Sequence, residues 1–248
     1  MRTRVPTSLL CLLAIGGSSQ ALAVRNGELA GSNDFPNVGR LGHGCSGVLV
    51  APNRVLTAAH CVKPYGPEEI KRLPFMLTQP DGSLKEHILA DSVAILSPYA
   101  DGDLAIVSLS KAASGFRAQP LAHNWETLPT LANVVGYGPN SDAGVFGRKL
   151  FGTVTLTQYF RAQPNSRFSG QWPILAAEPG PENQFGCPGD SGGAVYLQNE
   201  RGEFELIGII GGALTAPRDR SQECDYATEM RILPIPAHAE WIQTQLAL

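Results

Sequence analysis

The residues with the clearest chemical potential stand in the stretch Cys187-Pro188-Gly189-Asp190-Ser191-Gly192-Gly193. Glycines tolerate the backbone angles of a tight turn, so a serine among them can present its Oγ while nearby N–H groups face a developing oxyanion. A serine hydroxyl is a weak nucleophile until a base takes its proton and a third group orients that base. The chain supplies both. Thr57-Ala58-Ala59-His60-Cys61 offers a histidine suited to general-base work, and Asp103 offers a carboxylate at the head of the apolar run Leu104-Ala105-Ile106-Val107. Asp101 competes for the second role, but the apolar run begins directly after Asp103 and draws that carboxylate toward a core. His43, His87, His123 and His238 have no comparable context and read as structural histidines.

The elements that must position these groups read as short strands. Gly47 to Val50 and Arg54 to Thr57 flank the turn Ala51-Pro52-Asn53, and His60 follows the second of them. Pro74 to Leu89 reads as a hairpin around Pro80-Asp81-Gly82. Asp103 to Leu109 is apolar and β-branched, suited to a core. Lys111 to Thr130 is polar, irregular and proline-bearing, the expected connection between a first half (Val24 to about Pro120) and a second. Leu131 to Gly138, Gly152 to Leu156 and Glu205 to Ile210 supply strands of the second half, which also carries Ser191. Pro236 to Leu246 is the one helical pattern, with Ala239, Ile242 and Leu246 on one face and Trp241 near its edge. With 27 glycines, 19 prolines and few helical periodicities, an all-β chain of many short strands is expected.

Met1 to Ala23 reads as a secretory signal: Arg2 and Arg4 at the start, an apolar run from Ser8 to Gly17, and a small-x-small site at Ala21-Leu22-Ala23. The run is far shorter than the roughly 20 residues of a spanning helix. Bulky Leu10 before Cys11 speaks against a lipoprotein. Removing 23 of 248 residues leaves 225, enough to bury a sizeable core. Two arginines and no acids leave with the segment, so formal charge moves from −3 to −5. No basic block stands out, which speaks against nucleic acid or an anionic membrane as partner. The expected mature protein is a soluble monomer, secreted or periplasmic. Cys45, Cys61, Cys187 and Cys224 remain, an even set that implies two disulfides with three pairings open. No pair has CxxC spacing and no HExxH is present, so no metal site is expected.

GDSGG, TAAHC and the Asp-Leu-Ala-Ile-Val stretch, in the order His60, Asp103, Ser191, resemble the trypsin/chymotrypsin family of serine proteases. Weaker similarity runs from about Val24 to Trp241. The resemblance implies two antiparallel six-stranded β-barrels, about 24–120 and about 131–234, a C-terminal helix at about 236–246, and a cleft between the barrels. It implies a cofactor-free endopeptidase cleaving protein or peptide substrates through an acyl-enzyme. His60 would be the base, Asp103 its orienting acid, Ser191 the nucleophile, and the N–H groups of Gly189 and Ser191 the oxyanion hole. The family pattern pairs Cys45 with Cys61 and Cys187 with Cys224. It also pairs Asp190 with a freed N-terminal ammonium. Val24-Arg25-Asn26-Gly27-Glu28-Leu29-Ala30 fits the family's I-V-G-G-x-x-A frame apart from Arg25 and Asn26, so signal removal itself would free the Val24 ammonium.

Departures from the family bear on specificity. Phe185 stands where trypsin-like members carry an aspartate for Lys and Arg side chains. Gly211-Gly212-Ala213 replaces the usual Ser-Trp-Gly, whose serine supports the triad aspartate, so some loss of rate is implied. Ala213 and Ala227 would wall a shallow apolar pocket floored by Phe185, suited to small uncharged side chains rather than Arg or Lys. Two rivals are weaker. An α/β-hydrolase needs the order Ser, acid, His, here Asp219 or Asp225 and then His238, on βαβ units that the turn-rich strands do not provide. A binding module that kept the barrels usually lacks a triad member, and here all three residue types are present.

Overall fold

The computed structural model describes residues 24–31, 33–96, 102–124, 127–138, 147–161, 173–215 and 223–248. The proposed signal, Asp101 and Asp219 lie outside these described residues. In chain order the elements are β1 (Glu28–Leu29), β2 (Val38–Leu41), β3 (Cys45–Ala51), β4 (Arg54–Ala58), α1 (Pro67–Ile70), β5 (Pro74–Thr78), β6 (Leu84–Ile95) and β7 (Leu104–Leu109). There follow β8 (Thr130–Gly136), β9 (Leu150–Arg161), β10 (Pro173–Pro179), β11 (Ala194–Gln198), β12 (Phe204–Thr215), α2 (Glu223–Tyr226), β13 (Glu229–Pro234) and α3 (Ala239–Leu246).

Strands β2-β3-β4-β7-β6-β5 close into one barrel. Strands β8-β9-β10-β13-β12-β11 form a second ring, closed by the β8–β9 and β8–β11 pairings. Among the described residues every pairing between strands is antiparallel, as a two-barrel fold requires and an α/β-hydrolase does not. Closure leaves few open edges for so many short strands. The β5–β6 hairpin turns at Gly82 (φ +84°), with the Ser83 N–H donating to Asp81 Oδ1 at 2.8 Å.

Side chains alternate across each strand, and here both faces are apolar for different reasons. Leu49, Val55 and Val107 point into the first barrel with Phe75 and Ile88. Their neighbours Val48, Leu56 and Ile106 point outward and meet Val135, Tyr196, Ile209 and Leu233 of the second barrel. The seam between barrels is therefore itself a core. Burying each such Leu or Ile is worth about 1.5–3 kcal/mol against exposure. Ile242 of α3 closes the seam at one end, packed with Leu233 and Ile235. The expected helix from Pro236 opens as a single 3-10 turn, Pro236–His238, and is α-helical only from Ala239.

The N-terminal segment departs from sequence order. Counted with the first half, residues 24–29 instead dock on the second barrel, where β1 pairs with β9 (Glu28 opposite Phe151, Leu29 opposite Leu150). Val24 is fully buried in that barrel's core with Leu150, Val154 and Phe185. The Arg25 N–H donates to the Phe185 carbonyl at 2.6 Å, and the Phe185 N–H returns the bond at 3.2 Å. Apolar burial and these backbone bonds outweigh proximity in sequence.

Candidate active site

The β4–β7 pairing builds the first part of the site. Ala58 lies opposite Leu104, so the 3-10 turn Ala59–Cys61 and the residue before β7 emerge side by side. The Ala59 N–H donates to the Asp103 carbonyl at 2.8 Å. Asp103 Oδ1 accepts the His60 backbone N–H at 2.8 Å, and Oδ2 lies 2.7 Å from His60 Nδ1. Two bonds to one carboxylate fix the ring. An Nδ1–H given to Asp103 leaves the Nε2 lone pair for a substrate-side proton. The Asp103 side chain is 14% exposed and that of His60 44%, so the carboxylate is sheltered and the imidazole reachable. Burial works to raise the Asp103 pKa, but the His60 hydrogen bond and the charges of His60 and Arg231 outweigh it and hold the carboxyl below its ordinary value. A disulfide joins Cys45 to Cys61, with Cα atoms 6.0 Å apart, and ties the turn carrying His60 to the start of β3.

The second barrel contributes the glycine-rich turn. Gly189 (φ +93°) and Gly192 (φ +83°) adopt left-handed backbone on either side of Ser191. The Asp190 N–H donates to the Cys187 carbonyl at 3.0 Å, and the Gly193 N–H to the Asp190 carbonyl at 2.8 Å. Reciprocal bonds between Gly192, Gly193 and Ile210 fasten the turn to β12. From the first barrel, the Ser46 N–H donates to the Ser191 carbonyl at 2.8 Å. That carbonyl also lies 3.6 Å from Cys61 Sγ, which places the Ser191 backbone against the turn of His60. Among the described residues, the N–H groups of Gly189 and Ser191 donate to no protein group.

Ser46 is a positioning residue that the sequence did not reveal. Its Oγ accepts the Tyr137 N–H at 3.0 Å and donates to the Gly189 carbonyl at 3.2 Å, so one hydroxyl joins β3, the end of β8 and the Ser191 turn. Gly192 packs just as closely: a Cβ there would run into the Ser46 carbonyl and Thr57 Oγ1.

Asp190 has no exposed surface, and its carboxylate is held by backbone groups of Val24, Cys187 and Gly138. Its Oδ2 accepts N–H groups from Val24 (2.9 Å) and Cys187 (2.7 Å), and its Oδ1 accepts that of Gly138 (2.8 Å). Burial pushes its carboxyl up to about 6 in spite of these bonds.

Residues 24–231 match the trypsin family profile. The chain belongs to the trypsin family. Trypsin I-P38 of Gallus gallus is 27% identical over 195 residues, which cover 75% of this chain and 77% of the relative. Chymotrypsin-like elastase family member 1 of Homo sapiens is 24% identical over 265 aligned positions, covering 95% of this chain and 99% of the relative.

Three of the residues expected to line a substrate pocket in this trypsin-family chain gather in one cluster. Phe185 is fully buried, clustered with Ala227 and Met230, and Ala213 packs against them half-buried. The second disulfide joins Cys187 to Cys224, Cα atoms 4.7 Å apart, bracing this wall. The Arg25 guanidinium caps the cluster from outside: its carbon sits 5.2 Å from the Phe185 ring centre, and Nη1 donates to the carbonyls of Cys224 (2.9 Å) and Ala227 (3.3 Å). Gly211 lies elsewhere, beside Asp103. Its carbonyl and Asp103 Oδ2 each accept Arg231 Nη2 at 2.7 Å. The absent serine thus does not leave the aspartate without support. The sequence carried a signal for this, a lone cation in the apolar strand Met230-Arg231-Ile232-Leu233.

Proposed function

We propose that this trypsin-family protein is an exported serine endopeptidase that hydrolyses peptide bonds through an acyl-enzyme. The observation that carries the reading is the His60 Nδ1–Asp103 Oδ2 contact of 2.7 Å beside a glycine-rich turn bearing Ser191. His60 Nε2 takes the Ser191 Oγ proton as Oγ attacks the substrate carbonyl carbon. The oxyanion receives the Gly189 and Ser191 N–H groups, a type of contact worth about 2.7–4 kcal/mol per donor in the transition state. His60 then gives the proton to the leaving amine, and water repeats the sequence on the acyl-enzyme. Asp103 orients the imidazole and stabilises the imidazolium without taking a proton. No cofactor takes part.

Two disulfides support an oxidising destination, secreted or periplasmic. Among the described residues no helix is long and apolar enough to cross a membrane. Cleavage after Ala23 removes the signal and turns the Val24 nitrogen, now 2.9 Å from Asp190 Oδ2, from an amide into an ammonium. The apolar cluster of Phe185, Ala213 and Ala227 supports a preference for small uncharged side chains in protein or peptide substrates, cleaved by a monomer.

A fluorophosphonate probe tests the reading directly. The chain beginning at Val24 should be labelled on Ser191, located by mass spectrometry, and the folded Ser191→Ala variant should not react. A folded, processed chain that resists labelling overturns the protease reading in favour of a binding module. A peptide-library profile dominated by Arg or Lys at the cleaved position overturns the pocket reading.

A further inference from the structure

Asp103 carries one partner that the proposed reaction does not use. Arg231 reaches across from β13, and its Nη2 donates at 2.7 Å both to Asp103 Oδ2 and to the carbonyl of Gly211 on β12. The pair is sheltered, with side-chain exposures of 8% for Arg231 and 14% for Asp103. The oxygen that Arg231 holds is the one that meets His60 Nδ1.

Gly211 is what makes room for this cation. A Cβ at that position would stand 2.8 Å from Arg231 Nε, too close without a shift, and a tight 3.2 Å from Leu233 Cγ. The glycine and the arginine therefore form one arrangement. A guanidinium stays protonated throughout the useful pH range and cannot accept a proton, so its contact with Oδ2 keeps that oxygen an acceptor. With Oδ1 engaged by the His60 N–H and Oδ2 shared by Arg231 and Nδ1, the carboxylate has little freedom to rotate away from the ring.

We propose that Arg231 is a positioning residue, a buried counter-cation that acts through Asp103 to hold His60 in its working tautomer and orientation. The inference rests on the triad reading above. It places a full positive charge at the triad acid, on the same carboxylate oxygen that meets the imidazole. Arg231 acts on the reaction through Asp103, so its loss should fall on kcat and leave substrate binding nearly unchanged.

The test compares Arg231→Met, which keeps an unbranched apolar stem but neither charge nor donor, with Arg231→Lys and Arg231→Ala in the processed chain. For Arg231→Met, kcat should fall about 100-fold with KM within about twofold. Lysine keeps the charge but ends one bond short of the position of Nη2, so Arg231→Lys should lose about tenfold. Sub-denaturing guanidinium should restore at least tenfold of the rate lost in Arg231→Ala and far less in Arg231→Met, whose side chain occupies part of the space. A purely structural role would not produce that difference. If Arg231→Met fails to fold by circular dichroism, Arg231→Lys and the guanidinium rescue carry the test. A kcat within twofold of wild type in Arg231→Lys together with no rescue of Arg231→Ala overturns the proposal. A wild-type chain that neither hydrolyses peptides nor reacts with the fluorophosphonate overturns instead the protease reading on which the proposal rests.

Discussion

Extending the chain before Val24 changes the charge that faces Asp190, and the consequence for stability can be worked from the structure. With a residue in front of it, the Val24 nitrogen is a peptide N–H. Asp190 then has three N–H donors at 2.9, 2.7 and 2.8 Å. Burial lifts its carboxyl to about 6. Against an unfolded aspartate near about 3.9, the shift of roughly two units is worth about 3 kcal/mol. The folded pKa is raised, so the folded state binds the proton more tightly. The contribution is present in full below about pH 4 and is lost as pH rises through about 6. A freed Val24 ammonium at the same place reverses this, because an adjacent opposite charge favours the ionised carboxylate.

The assay is thermal unfolding, followed by circular dichroism at about pH 4 and about pH 7, of the chain beginning at Val24 and of one carrying two extra residues. Each is measured beside its Asp190→Asn counterpart, which subtracts every other titrating group. For a chain of this size 1 kcal/mol moves Tm by roughly 2–4 °C. Between the two pH values the extended chain should therefore lose about 6–12 °C more than its Asn variant, taking the 3 kcal/mol above. The chain beginning at Val24 should show no such excess. An extended chain that tracks its Asn variant within about 2 °C refutes the reasoning, because Asp190 would then carry no raised pKa.

Two further perturbations probe the site. Asp103→Asn should leave the fold intact and lower kcat by roughly 10⁴, since an amide can hold the imidazole in the wrong tautomer; steady-state rates near wild type would show that Asp103 is not the orienting acid. Gly192→Ala should destabilise by about 2–5 kcal/mol, combining a left-handed backbone with collision against Ser46 and Thr57. Denaturant unfolding measures it, and a loss under about 0.5 kcal/mol would mean that the two barrels do not meet at Gly192.

Local chemistry made part of this legible in the sequence. A serine among glycines, a histidine beside a half-cystine and an aspartate heading an apolar strand each leave a mark within a few residues. The two barrels were expected from the family resemblance, not from alternation. Val48-Leu49, Val55-Leu56 and Ile106-Val107 are apolar on both faces, one lining a barrel and the other the seam, so the period of two that tells inside from outside is erased. The docking of Val24 beside Asp190, 166 positions away, was likewise expected from the family resemblance and not from local pattern. Arg231 was visible as an oddity in an apolar strand, yet its partner Asp103 is 128 positions off. Nothing about Ser46 as a residue type foretold three bonds at a junction.

Ile210, Ser46 and Val24 each hold the Ser191 turn, and each tie depends on a different part of the structure. Ile210 fastens it through backbone bonds within the second barrel, which barrel closure alone suffices to maintain. Ser46 fastens it through a hydroxyl and an N–H from the first barrel, so that contact exists only while the apolar seam keeps the barrels docked. Val24 fastens it through Asp190, and here position and charge separate. The Val24 side chain is anchored in the core while residue 23 is still attached, which sets where the nitrogen lies. The covalent state of that nitrogen then decides only whether Asp190 faces a dipole or a full charge. Asp190 is the residue between Gly189 and Ser191, so its ionisation bears directly on the two N–H groups proposed to receive the oxyanion. Cleavage before Val24 would thus act on the turn through electrostatics, with little apolar surface changing hands, and the two barrels need not move for the site to respond.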